Sequence, residues 1–104
     1  MQEVKFILND KGHGGFYILD DTEQLGEMII SIAGNKLTVY HTEVSPKAEG
    51  KGFAKMLLDA MVEYVRKHEM KVIPLCPYVH LQFKRHPEQY SDIWLKDEQV
   101  RETK

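Results

Sequence analysis

A single cysteine, Cys76, excludes an internal disulfide framework and fits a reducing compartment. Charge of one sign is also missing. Fourteen lysines and arginines stand against 16 aspartates and glutamates, a formal net charge of -2, so no global basic field awaits a nucleic acid. No apolar run approaches the length of a membrane span, and Met1-Gln2-Glu3-Val4-Lys5 lacks the apolar core of a signal peptide. The expectation is a cytoplasmic protein with neither a membrane nor a nucleic acid as partner. Repeats, low-complexity tracts and linkers are absent, and 104 residues suit one core rather than two, hence a single domain over 1–104. The five histidines form no His-x3-His pair and there is one thiol, so no metal site is expected.

What the chain does have is strong local patterning. Val4-Lys5-Phe6-Ile7-Leu8 reads as a strand, ended by the turn-rich Asn9-Asp10-Lys11-Gly12-His13-Gly14-Gly15. Phe16 to Leu19 reads as a second strand and Leu25 to Ile32 as a third, with Met28, Ile30 and Ile32 on one face at period two. Ala33-Gly34-Asn35-Lys36 is a tight-turn signal that returns Leu37 to Val44 as an antiparallel partner. In the next segment Ala54, Leu57, Leu58, Met61, Val62 and Val65 alternate three and four apart, the stripe of an amphipathic helix. Lys71 to Cys76 follows as a short strand with little alternation, as expected if both its faces are covered. Pro77 fits the first position of a second helix reaching about His86, which Pro87 ends. The tail from about residue 95 is charged and expected to fray. This order predicts an α+β fold: an antiparallel meander, then a strand–helix–strand crossover that makes the fourth and fifth strands parallel, with helices on the faces of the mixed sheet.

The segment between the fourth strand and the long helix is the most informative. Lys47-Ala48-Glu49-Gly50-Lys51-Gly52-Phe53-Ala54 is a Gly-x-Gly loop that opens directly into the helix. Helix N-termini present N–H groups without intrahelical partners and the positive end of the macrodipole, and glycine lets an anion approach them. A phosphate-bearing ligand is the expectation. A Walker loop would need four residues between its glycines and a Lys-Ser/Thr pair, and a dinucleotide fold a third glycine in an alternating strand–helix order; neither is here.

The loop instead resembles the Gln/Arg-x-x-Gly-x-Gly/Ala pattern of the GNAT superfamily of N-acetyltransferases, with Lys47 at the first position keeping the charge but not arginine's fork. His41-Thr42-Glu43-Val44, Glu49-Gly50-Lys51-Gly52, Val72-Ile73-Pro74-Leu75-Cys76-Pro77-Tyr78-Val79 and Lys84-Arg85-His86-Pro87-Glu88 extend the likeness over almost the whole chain. Together they resemble the small single-domain subfamily of about a hundred residues. The resemblance implies acetyl-CoA as cofactor. Its pantetheine would pair with the fourth strand near Glu43 and Val44, where the fourth and fifth strands splay. Its pyrophosphate would lie on the backbone of Glu49, Gly50, Lys51, Gly52, Phe53 and Ala54, with Lys51 and Lys47 adding charge and Lys84 or Arg85 reaching the nucleotide. Family members usually place two helices between their first and second strands; here residues 9–15 leave no room for them, so an open, shallow acceptor side is expected.

Two residues are candidates for chemistry in transfer to an amine. Cys76 falls at the strand end and at the cap of the helix begun by Pro77, where a thiolate is favoured, although a cysteine there also serves as a small apolar filler. His41 is the candidate base, histidine being the side chain type suited to proton exchange near neutrality; strict alternation would put it on one face with Leu37, Val39 and Glu43, and a satisfied core histidine is the other reading. Tyr78 is a weaker candidate for the acid that protonates the leaving thiolate, while Tyr17 and Tyr40 read as sheet packing and Met61 as core. Against the acetyltransferase reading stands a CoA-binding or protein-interaction module without catalysis on the same fold.

Overall fold

A computed structural model describes residues 2–96. Five strands form one sheet in the order β1-β2-β3-β4-β5: β1 (Gln2–Leu8), β2 (His13–Asp20), β3 (Glu23–Ala33), β4 (Lys36–Val44) and β5 (Lys71–Pro74). The first four are antiparallel, and β5 runs parallel to β4 through the crossover helix α1 (Phe53–Lys67). A short 3-10 turn, Pro46–Ala48, precedes α1, and α2 (Pro77–Arg85) and α3 (Pro87–Tyr90) follow β5. The predicted α+β architecture is therefore present, with a mixed sheet of the expected order.

The core is a single cluster on one side of the sheet. Phe16, Met28, Ile30, Leu37 and Val39 meet Phe53, Leu57, Leu58, Met61, Val62 and Val65 of α1. Phe53 takes the buried place at the start of the stripe, and Ala54 is half-buried. Helices α2 and α3 lie on the same side: Phe83 packs edge-on to Trp94 and stacks on Tyr90, and Trp94 bridges to Val72, the partner of inward-facing Leu37. Each fully buried aliphatic side chain here contributes about 1.5–3 kcal/mol relative to exposure.

Helices therefore flank one face only, and the other stays bare among the described residues. That corrects the expectation for β5. Its residues alternate, with Lys71 exposed, Val72 buried, Ile73 half-buried and Pro74 buried, because one face of the strand has no layer above it. The strand also stops at Pro74, leaving Leu75 61% exposed. Strand β2 begins earlier than its turn-rich sequence suggested, since Gly14 and Gly15 pair with Leu8 and Ile7. Pro87 both ends α2 and starts α3, a position where its missing N–H is not needed. Leu95 N–H is held by Val72 O; the rest of the expected frayed tail, beyond residue 96, lies outside the described residues.

Candidate functional site

Strand β4 changes character halfway along. Residues Lys36, Leu37, Thr38 and Val39 pair with Lys71, Val72, Ile73 and Pro74, and the pairing with β5 ends there. At the same point β4 bulges: Ile29 faces His41 while Ile30 faces Val39, so Tyr40 is an extra residue. The extra residue reverses the side-chain alternation. His41 and Glu43 consequently point to the bare face, opposite to Leu37 and Val39, and Thr42, partner of Met28, turns toward the core. The face expected for His41 is corrected by this bulge, which no alternation rule reveals.

Two side-chain groups result. On the bare face, His41 Nε2 lies 3.0 Å from Glu27 Oε2, and the His41 side chain is 51% exposed. Glu43 stands directly across from Glu27, and the nitrogen and carboxylate oxygens of the three all lie within 4.8 Å of one another. Spacing along the chain could not show this cluster, because Glu27 is 14 residues away on another strand. Nearby, Tyr40 Oη and Ser31 Oγ share a 2.7 Å hydrogen bond, so Tyr40 lies over β3 rather than in the core. On the inner side, Thr42 Oγ1 is 3.3 Å from Cys76 Sγ. Cys76 is 1% exposed, and its N–H donates to Val39 O across the mouth where β4 and β5 separate. It is the N-cap of α2, with Pro77 at the first helical position, as expected, but its side chain makes no cap hydrogen bond. No hydrogen bond joins His41 and Cys76 among the described residues; they belong to opposite sides of β4. Tyr78, in the first turn of α2, is half-buried, and that burial pushes its hydroxyl above the usual tyrosine range against the opposing charge of Lys55. It stays protonated at neutral pH, as a proton donor must.

The glycine loop lies where β4 ends and α1 begins. Gly50 and Gly52 have φ of 82° and 78°, a left-handed conformation that costs other residues about 1–2 kcal/mol. Gly52 is the N-cap of α1; no side chain caps this end, and its first turn holds no acidic residue. A Cβ at either glycine would meet nothing within 4 Å, so the space beside the loop is open. The N–H of Glu49 is already donated to Pro46 O, whereas those of Gly50 to Lys55 meet no backbone acceptor among the described residues. Lys51 is exposed, whereas Lys47 is ion-paired with Glu23. Lys84 and Arg85 close the last turn of α2, nine residues or about 13 Å of helix rise from its Cys76 end.

A family model described as GCN5-related N-acetyl-transferase matches residues 15–93. Among solved structures, a GCN5-like protein from Staphylococcus aureus is 30% identical, with 88% of this chain and 87% of that one covered at a TM-score of 0.62. A ribosomal-protein-alanine N-acetyltransferase from Brucella melitensis biovar Abortus shares the fold at 22% identity, TM-score 0.59, over 77% of this chain. The Escherichia coli ribosomal-protein-S18-alanine N-acetyltransferase does so at 13% identity, TM-score 0.58, over 64%. The chain spans 62% and 43% of the lengths of these two enzymes. A comparison with curated proteins gives no match.

Proposed function

This chain belongs to the GCN5-related N-acetyltransferase family, and from that premise we propose that it binds acetyl-CoA and transfers the acetyl group to an amine presented on the bare face of the sheet. The observation that carries the reading is the uncapped start of α1, with two left-handed glycines and open space around them, immediately after the strand that parts from β5. The backbone N–H groups of Gly50, Lys51, Gly52, Phe53 and Ala54 suit a pyrophosphate, with Lys51 adding charge. The β4 backbone near Glu43 and Val44, free of β5 beyond Val39, suits the pantetheine amides. Lys84 and Arg85 belong to this set only if the nucleotide extends along α2.

Acetyl-CoA supplies an activated thioester. In the reading we favour, the amine nitrogen attacks the thioester carbonyl, the C–S bond breaks, His41 accepts the amine proton, and Tyr78 gives one to the departing thiolate. Glu27, 3.0 Å from His41 Nε2, holds the ring in place and leaves Nδ1 to take the proton. Burial of Cys76 beside Thr42 favours this direct route over an acetyl-cysteine intermediate, since a nucleophile must be reached. The same burial, and the separation of Cys76 from His41, is what supports the second reading, a CoA-binding module without turnover. We take the location as cytoplasmic from the single cysteine; no helix among the described residues is long and apolar enough to cross a membrane.

One experiment addresses cofactor and route together. Acetyl-CoA at a hundred times its dissociation constant should add about 2.7 kcal/mol of stability, a thermal shift of about 10 °C or more for a domain this size. Intact mass without acceptor should show no acetyl adduct, and Cys76→Ser should transfer to a supplied amine at the parent rate while His41→Gln slows it. An absent shift at millimolar acetyl-CoA removes the cofactor and the enzyme together. A hydroxylamine-labile acetyl on Cys76 that turns over with acceptor removes the direct route.

A further inference from the structure

The two edges of the sheet are finished differently. At the β5 edge the strand is four residues long, ends in Pro74, and is covered by the chain itself: Val72 N–H donates to Ile93 O and Leu95 N–H to Val72 O. At the other edge, β1 runs seven residues without proline, glycine or bulge, in unbroken register from Gln2↔Asp20 to Leu8↔Gly14. No described segment lies against its outer side. Such an edge is a template for another strand, and its usual defences are absent here apart from two charges of opposite sign, Glu3 and Lys5.

We propose that β1 is a self-association edge, on which a second copy of this chain pairs antiparallel about a two-fold axis at Val4. The occupant follows from the charges. An axis perpendicular to the sheet keeps the bare faces of both copies on one side, so only registers that pair residues of like facing are available. Centring on Glu3 or on Lys5 sets like charges directly opposite, which is destabilising. Centring on Phe6 sets Lys5 against Ile7 and leaves Glu3 without a cross-strand partner. Centring on Val4 sets Val4 against Val4, Gln2 against Phe6, and Glu3 of each copy against Lys5 of the other, so every edge charge has one opposite partner and the junction holds two such pairs. Val4 and Phe6 extend the core side of the junction. They line, with Phe16 and Tyr64, a groove of about 490 Å³ beside α1. The result is a continuous ten-strand sheet whose two bare faces, each with its own His41 and Glu27, form one surface.

The test uses the intact chain in analytical ultracentrifugation from 1 µM to 1 mM, with circular dichroism and thermal melts confirming the fold of each variant. The parent should dimerise. Glu3→Lys and Lys5→Glu should each raise the dimer dissociation constant at least tenfold, because each sets like charges opposite, and the double variant Glu3→Lys/Lys5→Glu should restore it to within threefold of the parent. A chain monomeric up to 1 mM overturns the proposal. So does a dimer indifferent to the single changes, which would belong to the Phe6-centred register or to another surface, and so does a double variant that fails to recover. None of these readings depends on acetyl-CoA, so they are independent of the proposed reaction.

Discussion

Helix α1 begins at Phe53 without a capping side chain and ends after Lys67 with its carbonyls engaged, although both ends start from the same shortage of intrahelical partners. At the C-terminal end His68 N–H donates to Tyr64 O, Glu69 N–H to Arg66 O and Met70 N–H to Val65 O, with Met70 and Val65 both buried. Arg66 and Lys67 complement the negative pole. Arg66 further anchors the helix, binding both carboxylate oxygens of Asp92 at 3.1 Å and the carbonyl of Gln89. At the N-terminal end there is no comparable closure among the described residues: Gly52 caps with its backbone alone, the first turn holds no acidic residue, and the space beside the glycines is open. A left-handed residue stands at each end, Gly52 at 78° and Glu69 at 55°. The fold tolerates the strain of a glutamate at the turn that closes the helix and has glycine at the open end, where the proposed phosphates would approach. The contrast supports, on grounds internal to this chain, the proposed ligand end of the helix.

The largest effect should come from breaking that difference at Gly52. Gly52→Ala meets no clash but must hold a positive φ, costing about 1–2 kcal/mol without ligand, or about 5–10 °C. Gly52→Asn separates conformation from access, because asparagine accepts the left-handed region far better than alanine. The free protein should melt within a few degrees of the parent, while the acetyl-CoA shift of about 10 °C disappears, its side chain standing where the phosphates approach. A Gly52→Asn protein that keeps the full shift would make the two glycines a plain turn, and the ends of α1 equivalent after all.

How much of this was legible beforehand divides along the same physical lines. Leu57, Leu58, Met61, Val62 and Val65 announce α1 because burial on one face repeats every three to four residues and nothing interrupts it. The glycine loop was legible because its chemistry is local. His41 was placed on the wrong face because a single inserted residue, Tyr40, reverses the alternation, and a bulge depends on pairing with β3 that sequence alone does not record. Glu27 and Thr42, the groups that touch His41 and Cys76, were missed for a related reason: they lie 14 and 34 residues from their partners, joined only by the sheet. The single faint signal was the cross-strand neighbourhood implied by the hairpin at Gly34. The motif position of Lys47 implies a point charge beside the phosphates, and the sheet brings Glu23 to pair with it, a neighbour that spacing does not reveal.

A middling effect is expected from loosening the finished end. Arg66→Ala removes the tie to Asp92 and Gln89, which stand at the surface and are screened, so the loss should be about 1 kcal/mol, read as a melting temperature lower by several degrees. Its pH dependence identifies the cause. Hydrogen bonds from Arg66 hold the Asp92 carboxyl below its ordinary 3.8, against an opposing effect of burial. A depressed folded value means that the stabilisation is present above the unfolded value and is lost as pH falls through the folded one. The parent should therefore lose stability below about pH 4 more steeply than Arg66→Ala, and the two should converge in strong acid. Parallel curves would show that the arginine acts by packing alone.

The smallest change runs the other way, and it bears on whether the strain at Glu69 is incidental. Glu69 is left-handed because the chain must turn there to deliver Met70 to the core and close the bonds to Arg66 O and Val65 O. A glutamate in that conformation costs about 1–2 kcal/mol, and glycine removes this cost while adding about 0.5–1 kcal/mol of backbone entropy to the unfolded chain. Glu69→Gly should thus stabilise the protein by about 0.5–1 kcal/mol, a rise of a few degrees in melting temperature, with the acetyl-CoA shift unchanged because the substitution is at the opposite end of α1. Glu69→Ala keeps the strain and should gain nothing. If Glu69→Gly instead lowered the acetyl-CoA shift while raising the melting temperature, the two ends of the helix would be coupled, and the left-handed glutamate would be serving the ligand end rather than the turn that contains it.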